Sequence, residues 1–404
     1  MLHSVQQSQP RVENACCVCR CFQVIADFFK KVGVLTAIAF TASVLVGAFY
    51  SIPIALTIFG GYVLVKSIYH LVKPKAVAMA LVVAPQVVAV PLVVSETVQF
   101  APTQVHLPEI HPNKLHVYSR LVTRRGFQQA STYTKGTLRN VDAVYNMPLP
   151  RPIMIDVRRG TFQYDPSDDR TMHWTANFAD ELIFGFSHTP LLAQDELQVA
   201  EHPALAHYRL EMRRRGASPN WGFLTDDEAL LVENVERMGR LNMYGNGFAT
   251  ATTQEIDAHL ERFEEPQVNN LFAMAAPDAR RRTSGALYER EDLEQYFNRS
   301  YAAFQMIKER HPNKNIVVHT GNWGAGAFGN SPKVAALMQL VAARLAEVQL
   351  IYYPRIHIID FLAAEEVYSQ ISLAHPDWTM RQFMDHIFEH RARYNLFYGV
   401  GNGT

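Results

Sequence analysis

A glycine-rich segment at residues 320–329 constrains the fold of this 404-residue chain more than any other feature. It has the sequence Thr-Gly-Asn-Trp-Gly-Ala-Gly-Ala-Phe-Gly, after the apolar, β-branched run 315–319 and before the helix-period run 332–345. Glycines let the backbone approach an anion closely, and the unpaired amides of a helix N-terminus favour negative charge. The order strand, glycine-rich turn, helix therefore predicts a diphosphate-binding loop.

The part of the chain after residue 113 alternates strand-like and helix-like runs. This alternation is typical of a layered α/β domain that binds ligands at the carboxyl ends of its strands. The strand candidates are residues 152–157, 270–275, 316–319 and 348–353. The helix candidates are residues 228–240, 291–309, 333–347, 364–371 and 380–393.

Charge and cysteine content argue against a nucleic-acid partner and against disulfides in the folded body. Lys+Arg and Asp+Glu are equal at 38 each, so no bulk charge favours a nucleic-acid partner. The four cysteines are Cys16, Cys17, Cys19 and Cys21, so the remaining body carries no disulfides, which suits a reducing compartment. Their tight spacing argues against a tetrahedral zinc site and leaves fatty acylation or free thiols open.

An uncharged stretch between Lys31 and Lys66 predicts a membrane hairpin. It is too long for one spanning helix and suffices for two short helices broken at Pro53. Lysines flank both ends, which places both ends on the cytosolic face. We therefore divide the chain into a cysteine-rich tail (1–29), a transmembrane helical hairpin (30–75), a Val/Pro-rich linker or third membrane element (76–112) and the α/β domain (113–404).

The glycine spacing also fits a dinucleotide-binding fingerprint. Gly324, Gly326 and Gly329 satisfy G-x-G-x-x-G after a strand, and Arg355 follows the next strand, where it could meet a 2′-phosphate. However, such a domain needs several more strands after its fingerprint, and the chain beyond residue 355 is mainly helical in pattern. A dinucleotide-dependent oxidoreductase is therefore an alternative and not the main prediction.

The loop sequence resembles the diphosphate loop of the poly(ADP-ribose) glycohydrolases, whose catalytic domain is a macrodomain with a mixed sheet and flanking helices. The resemblance covers about residues 150–395. It includes the segment beginning Gln194-Asp195-Glu196, which is similar to the family's Gln-Glu-Glu. The run from 228 to Tyr244 is similar to the family's strand and mobile-tyrosine loop, although its pattern alone favours a helix.

The resemblance implies a role for each matched residue. Glu196 would be the general acid at the glycosidic bond, and Asp195 would hold the ribose hydroxyls. Breaking a glycosidic bond passes through an oxocarbenium-like state that needs a proton donor. The residues implied to bind ADP-ribose are Asn177, Gln194, Tyr244, Asn322, Gly324, Ala325, Gly326, Ala327 and Phe328.

Two departures from the family change the expected reactive end. The family has three consecutive glycines before Gln-Glu-Glu, whereas this chain has Phe-Gly-Phe-Ser-His-Thr-Pro at 184–190. The family's adenine-stacking aromatic falls near Arg355, with Tyr352 or Tyr353 as substitutes. We therefore expect ADP-ribose binding together with a changed linkage, such as mono-ADP-ribose on an arginine or an acidic side chain.

The resulting prediction is a membrane-anchored ADP-ribosylhydrolase that removes ADP-ribose from modified proteins and needs no cofactor. A bacterial effector facing the cytosol from a host organelle membrane, mitochondrial or endoplasmic reticulum, would suit the architecture. The alternative from another class is a membrane-tethered reader that binds ADP-ribose without cleaving it.

The sequence predicts no metal site. His386 and His390 match an H-x-x-E-H zinc pattern, but residues 391–404 offer no acidic ligand. Asp165, Asp168, Asp169 and His173 also cluster, and their spacing fits a loop better than a cation cage.

Overall fold

The computed structural model describes residues 92–100, 110–122, 127–152, 155–214, 221–225 and 227–399. The strands are β1 (Leu92–Phe100), β2 (Ser131–Leu138), β3 (Asp156–Val157), β4 (Thr171–Ala179), β5 (Glu228–Leu241), β6 (Leu260–Ala275), β7 (Asn315–Gly321) and β8 (Gln349–Tyr353). The helices are α1 (Pro112–Leu121), α2 (Val141–Tyr145), α3 (Gln194–Glu201), α4 (Pro203–Arg214), α5 (Gly247–Thr250), α6 (Thr253–His259), α7 (Arg290–Arg310), α8 (Pro332–Leu345), α9 (Ile358–Ala374) and α10 (Met380–Glu389).

The described strands form one mixed sheet in the order β1-β2-β5-β6-β4-β7-β8-β3. The pairs from β1 to β6 are antiparallel, and the pairs from β6 to β3 are parallel. The carboxyl ends of β6, β4, β7 and β8 therefore meet at one edge of the sheet. Open parallel sheets bind ligands outside this edge.

Helices cover both faces of the sheet. On one face, α7 and α8 bury long apolar runs against β4, β7 and β8, with Trp323 and Tyr352 in the same core. On the other face, the core around α4 contains Tyr133 stacked on Tyr208, with ring centroids 4.0 Å apart. Strands covered on both faces have continuous apolar sequences, as residues 316–318 do.

The predicted helix at 228–240 is wrong, because these residues form strand β5. β5 pairs antiparallel with β2 on one side and β6 on the other. Since it is central and buried on both faces, its sequence lacks the alternation of a half-exposed strand. Its helix-forming Glu, Leu and Arg residues are overridden by pairing with two neighbours.

The other predicted elements differ mainly in length. The strand predicted at 152–157 contributes only β3, and β6 begins ten residues before the predicted start at 270. Two strand predictions are confirmed: 316–319 as β7 and 348–353 as β8. Four helix predictions are also confirmed: 291–309 as α7, 333–347 as α8, 364–371 as α9 and 380–393 as α10. Helix α9 is longer and α10 is shorter than expected.

The N-terminal predictions lie largely outside the described residues, including the hairpin at 30–75 and the tail at 1–29. None of the helices in the part of the chain that the structure describes is long and apolar enough to cross a membrane. The structure differs from the expectation for 76–112 at Leu92–Phe100, which forms edge strand β1 and pairs with β2.

Candidate functional site

Gln194 fixes the start of α3 to the carboxyl end of β4. Its side-chain oxygen accepts a hydrogen bond from the Phe178 amide at 2.8 Å, and its side-chain nitrogen donates to the Ala176 carbonyl at 3.1 Å. The oxygen and the nitrogen of the Gln194 side chain are thus both hydrogen-bonded to the β4 backbone. These bonds give Gln194 a positioning role, and its contact with a ligand stays a prediction.

Asp195 and Glu196 form a carboxyl pair in the first turn of α3. Glu196 is 2% exposed, and its Oε2 accepts from the Ala193 amide at 2.9 Å, as in a capping box. Burial raises the pKa of the half-buried Asp195 well above its usual value, and the adjacent Glu196 charge adds to the shift. A carboxyl with a raised pKa stays protonated to a higher pH, as general acid catalysis requires of a proton donor.

Lys114 on α1 is a site residue that our sequence-based prediction missed. Its side chain is fully buried, and its Nζ donates to the Phe186 carbonyl at 3.1 Å. Burial lowers the pKa of Lys114 to about 8, while the negative charges of Glu196 and Asp195 oppose that shift. A cation therefore lies within electrostatic reach of the carboxyl pair. The sequence does carry a signal for its burial, because Lys114 lies on the same face of α1 as the apolar Val117 and Leu121.

The lowered pKa of Lys114 predicts a pH-dependent stability. Between about pH 8 and 10.5 the unfolded chain binds a proton that the folded protein does not, so the free energy of unfolding rises with pH in that window. The full rise is about 3 kcal/mol. We expect Lys114→Met to remove this rise in denaturant titrations, whereas Lys308→Met on α7 keeps it. Parallel pH profiles for wild type and Lys114→Met would contradict the assignment.

Asn177 on β4 presents a buried acceptor at the same edge. Its Nδ2 donates to Gln198 Oε1 at 2.8 Å, and its Oδ1 accepts from no residue that the structure describes. Buried polar atoms are nearly always paired. The unpaired oxygen is therefore a candidate acceptor for a ligand hydroxyl, as the predicted ribose contact requires.

The glycine-rich loop presents open amides between β7 and α8. Within the described residues, the amides of Gly324, Gly326, Ala327 and Phe328 donate to no protein acceptor. Gly324 has φ +72°, and a Cβ added there would lie 2.4 Å from the Ala276 Cβ and 2.6 Å from the Tyr296 hydroxyl. The sequence of this turn thus gives a row of amides free to bind an anion.

Buried side chains support the loop from below. Trp323 is fully buried, and its Nε1 donates to the Met274 carbonyl at 3.0 Å. Asn330, which the sequence did not single out, donates to the Pro277 carbonyl at 2.7 Å and accepts from the Tyr288 hydroxyl at 3.0 Å. Phe328 is half-buried and lies 4.9 Å from the Arg280 guanidinium.

Asn322 connects the loop to the end of β8. Its Nδ2 donates to the Pro354 carbonyl at 2.8 Å, and its Oδ1 accepts from the Tyr352 hydroxyl at 3.2 Å. As with Gln194, these bonds position the side chain, and its contact with a ligand stays a prediction. Ala325 lies in the open part of the loop, and its own amide donates to the Asn322 carbonyl at 3.1 Å.

Tyr244 and Arg355 link the carboxyl pair to the loop. Tyr244 is 43% exposed, and the Arg355 guanidinium lies 5.0 Å from its ring centroid. Burial raises the pKa of the Tyr244 phenol, Arg355 opposes the shift, and the charges of Asp195 and Glu196 add to it. All these groups are thus within electrostatic reach of one phenol. Arg355 follows Pro354, whose carbonyl holds Asn322.

The proposed adenine substitutes are wrong. Tyr352 is fully buried and stacks on Phe361 with ring centroids 4.7 Å apart. Tyr353 is also buried and packs edge-on against Phe162. Both rings are buried, whereas Tyr244 and Arg355 are exposed planar groups near this edge.

The segment that replaces the family's three glycines is folded into tight turns. Phe184 has φ +52°, and its ring packs edge-on against Tyr208. The Phe186 carbonyl accepts from Lys114, and the His188 carbonyl accepts from the His111 amide at 2.9 Å. The segment therefore brings α1 and its buried lysine toward the carboxyl pair.

Comparison with known families agrees with this arrangement. Residues 167–357, a little under half of the chain, match the family model described as poly(ADP-ribose) glycohydrolase, macrodomain fold. The mixed sheet with flanking helices fits that fold. Over these residues the described body is similar to a poly(ADP-ribose) glycohydrolase macrodomain.

Individual relatives are distant. A probable poly(ADP-ribose) glycohydrolase 2 of Arabidopsis thaliana is 24% identical over 197 residues, which is 41% of this chain and 36% of that protein. The chain thus spans about a third of the curated relative's length. The glycohydrolase of Thermomonospora curvata bound to the inhibitor ADP-HPD has 15% identity and a TM-score of 0.36, covering 61% of this chain and 87% of that one. The Deinococcus radiodurans enzyme with ADP-ribose has 15% identity and a TM-score of 0.29, covering 49% and 76%.

Proposed function

We propose that the chain is an ADP-ribosylhydrolase, which hydrolyses the glycosidic bond between ADP-ribose and a modified protein. The observation that carries the proposal is one edge of the sheet with two features: the carboxyl pair Asp195 and Glu196 in the first turn of α3, and a loop with four open amides. The amides suit a diphosphate, and the carboxyls suit cleavage of a bond at the far ribose.

The chemistry requires one water and one proton donor. Glu196, paired with Asp195, donates a proton to the leaving atom as its bond to the ribose C1″ breaks. A water adds its oxygen to C1″ and returns its proton to the carboxyl pair. The products are free ADP-ribose and the unmodified side chain, and the carboxyls end in their starting state. Anchoring of the diphosphate orients the reacting ribose without taking part in the bond change.

Arginine-linked mono-ADP-ribose is the substrate that we propose first. The turns at 184–190 occupy the place of the family's glycine run, and the Phe186 carbonyl and Lys114 lie beside the reactive end. This favours a compact acceptor over a polymer. A pair of carboxyl groups is also a suitable partner for a guanidinium leaving group.

A panel of linkages tests the proposal. Full-length protein is incubated with arginine-linked, acid-linked and polymeric ADP-ribose, and free ADP-ribose is quantified over time. We expect release from the arginine-linked substrate to be fastest. Faster release from polymer would contradict the proposed linkage but not the hydrolase activity.

A reader of ADP-ribose is the second candidate function. The observation that favours it is the same turn segment, because Phe184 and Phe186 replace glycines at the reactive end. Tight binding of ADP-ribose without release from any linkage would indicate the reader. The dinucleotide-dependent oxidoreductase has no comparable support, since half of the sheet is antiparallel.

We also propose that residues 30–75 anchor the protein in a membrane with the macrodomain facing the cytosol, on an organelle of a host cell. The support is the uncharged sequence between Lys31 and Lys66 with lysines at both ends. Carbonate extraction of cell membranes checks the anchor: the full chain should stay in the pellet, and a variant with Lys residues placed within the stretch should not.

A further inference from the structure

Three metal-binding side chains meet beneath the parallel part of the sheet, outside the carboxyl pair and the glycine-rich loop. His173 lies on β4, His319 lies on the neighbouring β7, and Asp165 lies in the segment before β4. His173 Nδ1 and His319 Nε2 are 2.9 Å apart, and Asp165 Oδ2 is 3.9 Å from each of them.

The three distances define a common centre. A point equidistant from the three atoms lies about 2.1 Å from each, which is the length of zinc–nitrogen and zinc–oxygen bonds. A hydrogen bond between the two imidazoles explains their 2.9 Å separation but not the position of Asp165. The two distances of 3.9 Å are too long for hydrogen bonds, but an ion between the groups fits them.

We propose that Asp165, His173 and His319 bind one zinc ion, with solvent completing its coordination. Two imidazoles and one carboxylate are a donor set that zinc uses. The His319 side chain is fully buried, while those of His173 and Asp165 are 18% and 27% exposed. The site is therefore closed toward the sheet and open toward solvent, which allows the ion to enter and a water to bind.

Neighbouring groups orient the ligands. His319 Nδ1 lies 3.2 Å from the Tyr353 hydroxyl, an outer contact that fixes the ring so that Nε2 faces the centre. Arg158 donates to Asp165 Oδ2 at 2.7 Å and is also paired with Asp156 at 3.1 Å. Two carboxylates thus face one guanidinium, and the surroundings keep a negative charge for the ion.

The ion would fix the segment between β3 and β4 against the sheet. Tyr164, next to Asp165, accepts a hydrogen bond from Gln198 Nε2 at 3.1 Å, and Gln198 Oε1 accepts from Asn177 at 2.8 Å. The zinc site would therefore support Asn177, whose Oδ1 is the unpaired acceptor near the carboxyl end of β4. Its role is structural, and it does not depend on the proposed hydrolase activity.

Metal analysis of the full-length protein tests the site. The protein is stripped with chelator, reloaded with zinc, dialysed and analysed by mass spectrometry for zinc per chain. We expect one equivalent in wild type and its loss in His173→Ala and Asp165→Asn, which alter the two partly exposed ligands. Affinity should fall on the order of 100-fold or more. His386→Ala is the matched control and should keep the ion, because the His386 imidazole is hydrogen-bonded to the Tyr394 hydroxyl and lies outside the proposed site.

Cobalt separates this site from the cysteines at 16–21. Cobalt bound by imidazole and carboxylate gives visible d–d bands without the strong near-ultraviolet charge transfer of thiolate ligands. We expect that spectrum in wild type and its absence in both variants, and thermal unfolding of the stripped variants confirms that they fold. Uptake of no metal, a thiolate spectrum, or an ion that persists in His173→Ala and Asp165→Asn would overturn the proposal.

Discussion

Glu196→Gln should lower the rate of ADP-ribose release by about 100- to 10,000-fold, the range that a general acid contributes. The substitution removes the proton that breaks the glycosidic bond, but a glutamine can still accept from the Ala193 amide as the carboxylate does. Binding of ADP-ribose should therefore change little. Release is measured with saturating arginine-linked substrate, and binding is measured by calorimetry.

Glu255→Gln is the matched control for Glu196→Gln. Glu255 is also the third residue of its helix, and its Oε2 accepts from the Thr252 amide at 2.7 Å in a capping box. It lies on α6 and is exposed, so its substitution tests the helix start alone. If both variants lose release equally, or Glu196→Gln retains full release, Glu196 is not the acid.

Gly324→Ala should abolish tight ADP-ribose binding. The new Cβ would lie 2.4 Å from the Ala276 Cβ. The left-handed backbone at φ +72° also destabilises alanine relative to glycine by about 1–2 kcal/mol. The loop must shift to relieve the contact, which moves the open amides away from the anion. Loss of two charge-assisted hydrogen bonds weakens binding by about 100-fold or more. Calorimetry with ADP-ribose measures the change.

Gly285→Ala separates the clash from the backbone strain. Gly285 has φ +78°, and an added Cβ there meets nothing within 4 Å. It should lower the melting temperature slightly and leave ADP-ribose affinity unchanged. Equal loss of affinity in the two variants would show that the effect is general destabilisation and not the geometry of the loop.

Local sequence predicted the features that depend on consecutive residues. The strand β7, the glycine-rich turn and α8 follow from one uninterrupted stretch. The length and hydrophobic period of each run were sufficient to predict its type and position, because these depend on neighbouring residues alone. The error at β5 has the opposite cause, since its conformation depends on pairing with β2 and β6.

Contacts between distant segments were predicted only where the family resemblance implied them. The sequence did not predict the approach of Lys114 to the carboxyl pair or the contact between Arg355 and the Tyr244 ring. His319 is 146 residues from His173, so the local spacing around Asp165 showed only a partial ligand set. Gln194 and Asn322 were predicted to bind ligand, and only the structure shows their amides bonded to backbone.

A crystal structure of Glu196→Gln with ADP-ribose tests most directly whether the loop delivers the distal ribose to the carboxyl pair. We expect diphosphate oxygens about 3 Å from the amides of Gly324, Gly326, Ala327 and Phe328. We also expect the far ribose beside residue 196, with a hydroxyl on the free Asn177 oxygen. A diphosphate bound elsewhere, or a far ribose turned away from α3, would contradict the proposed binding mode.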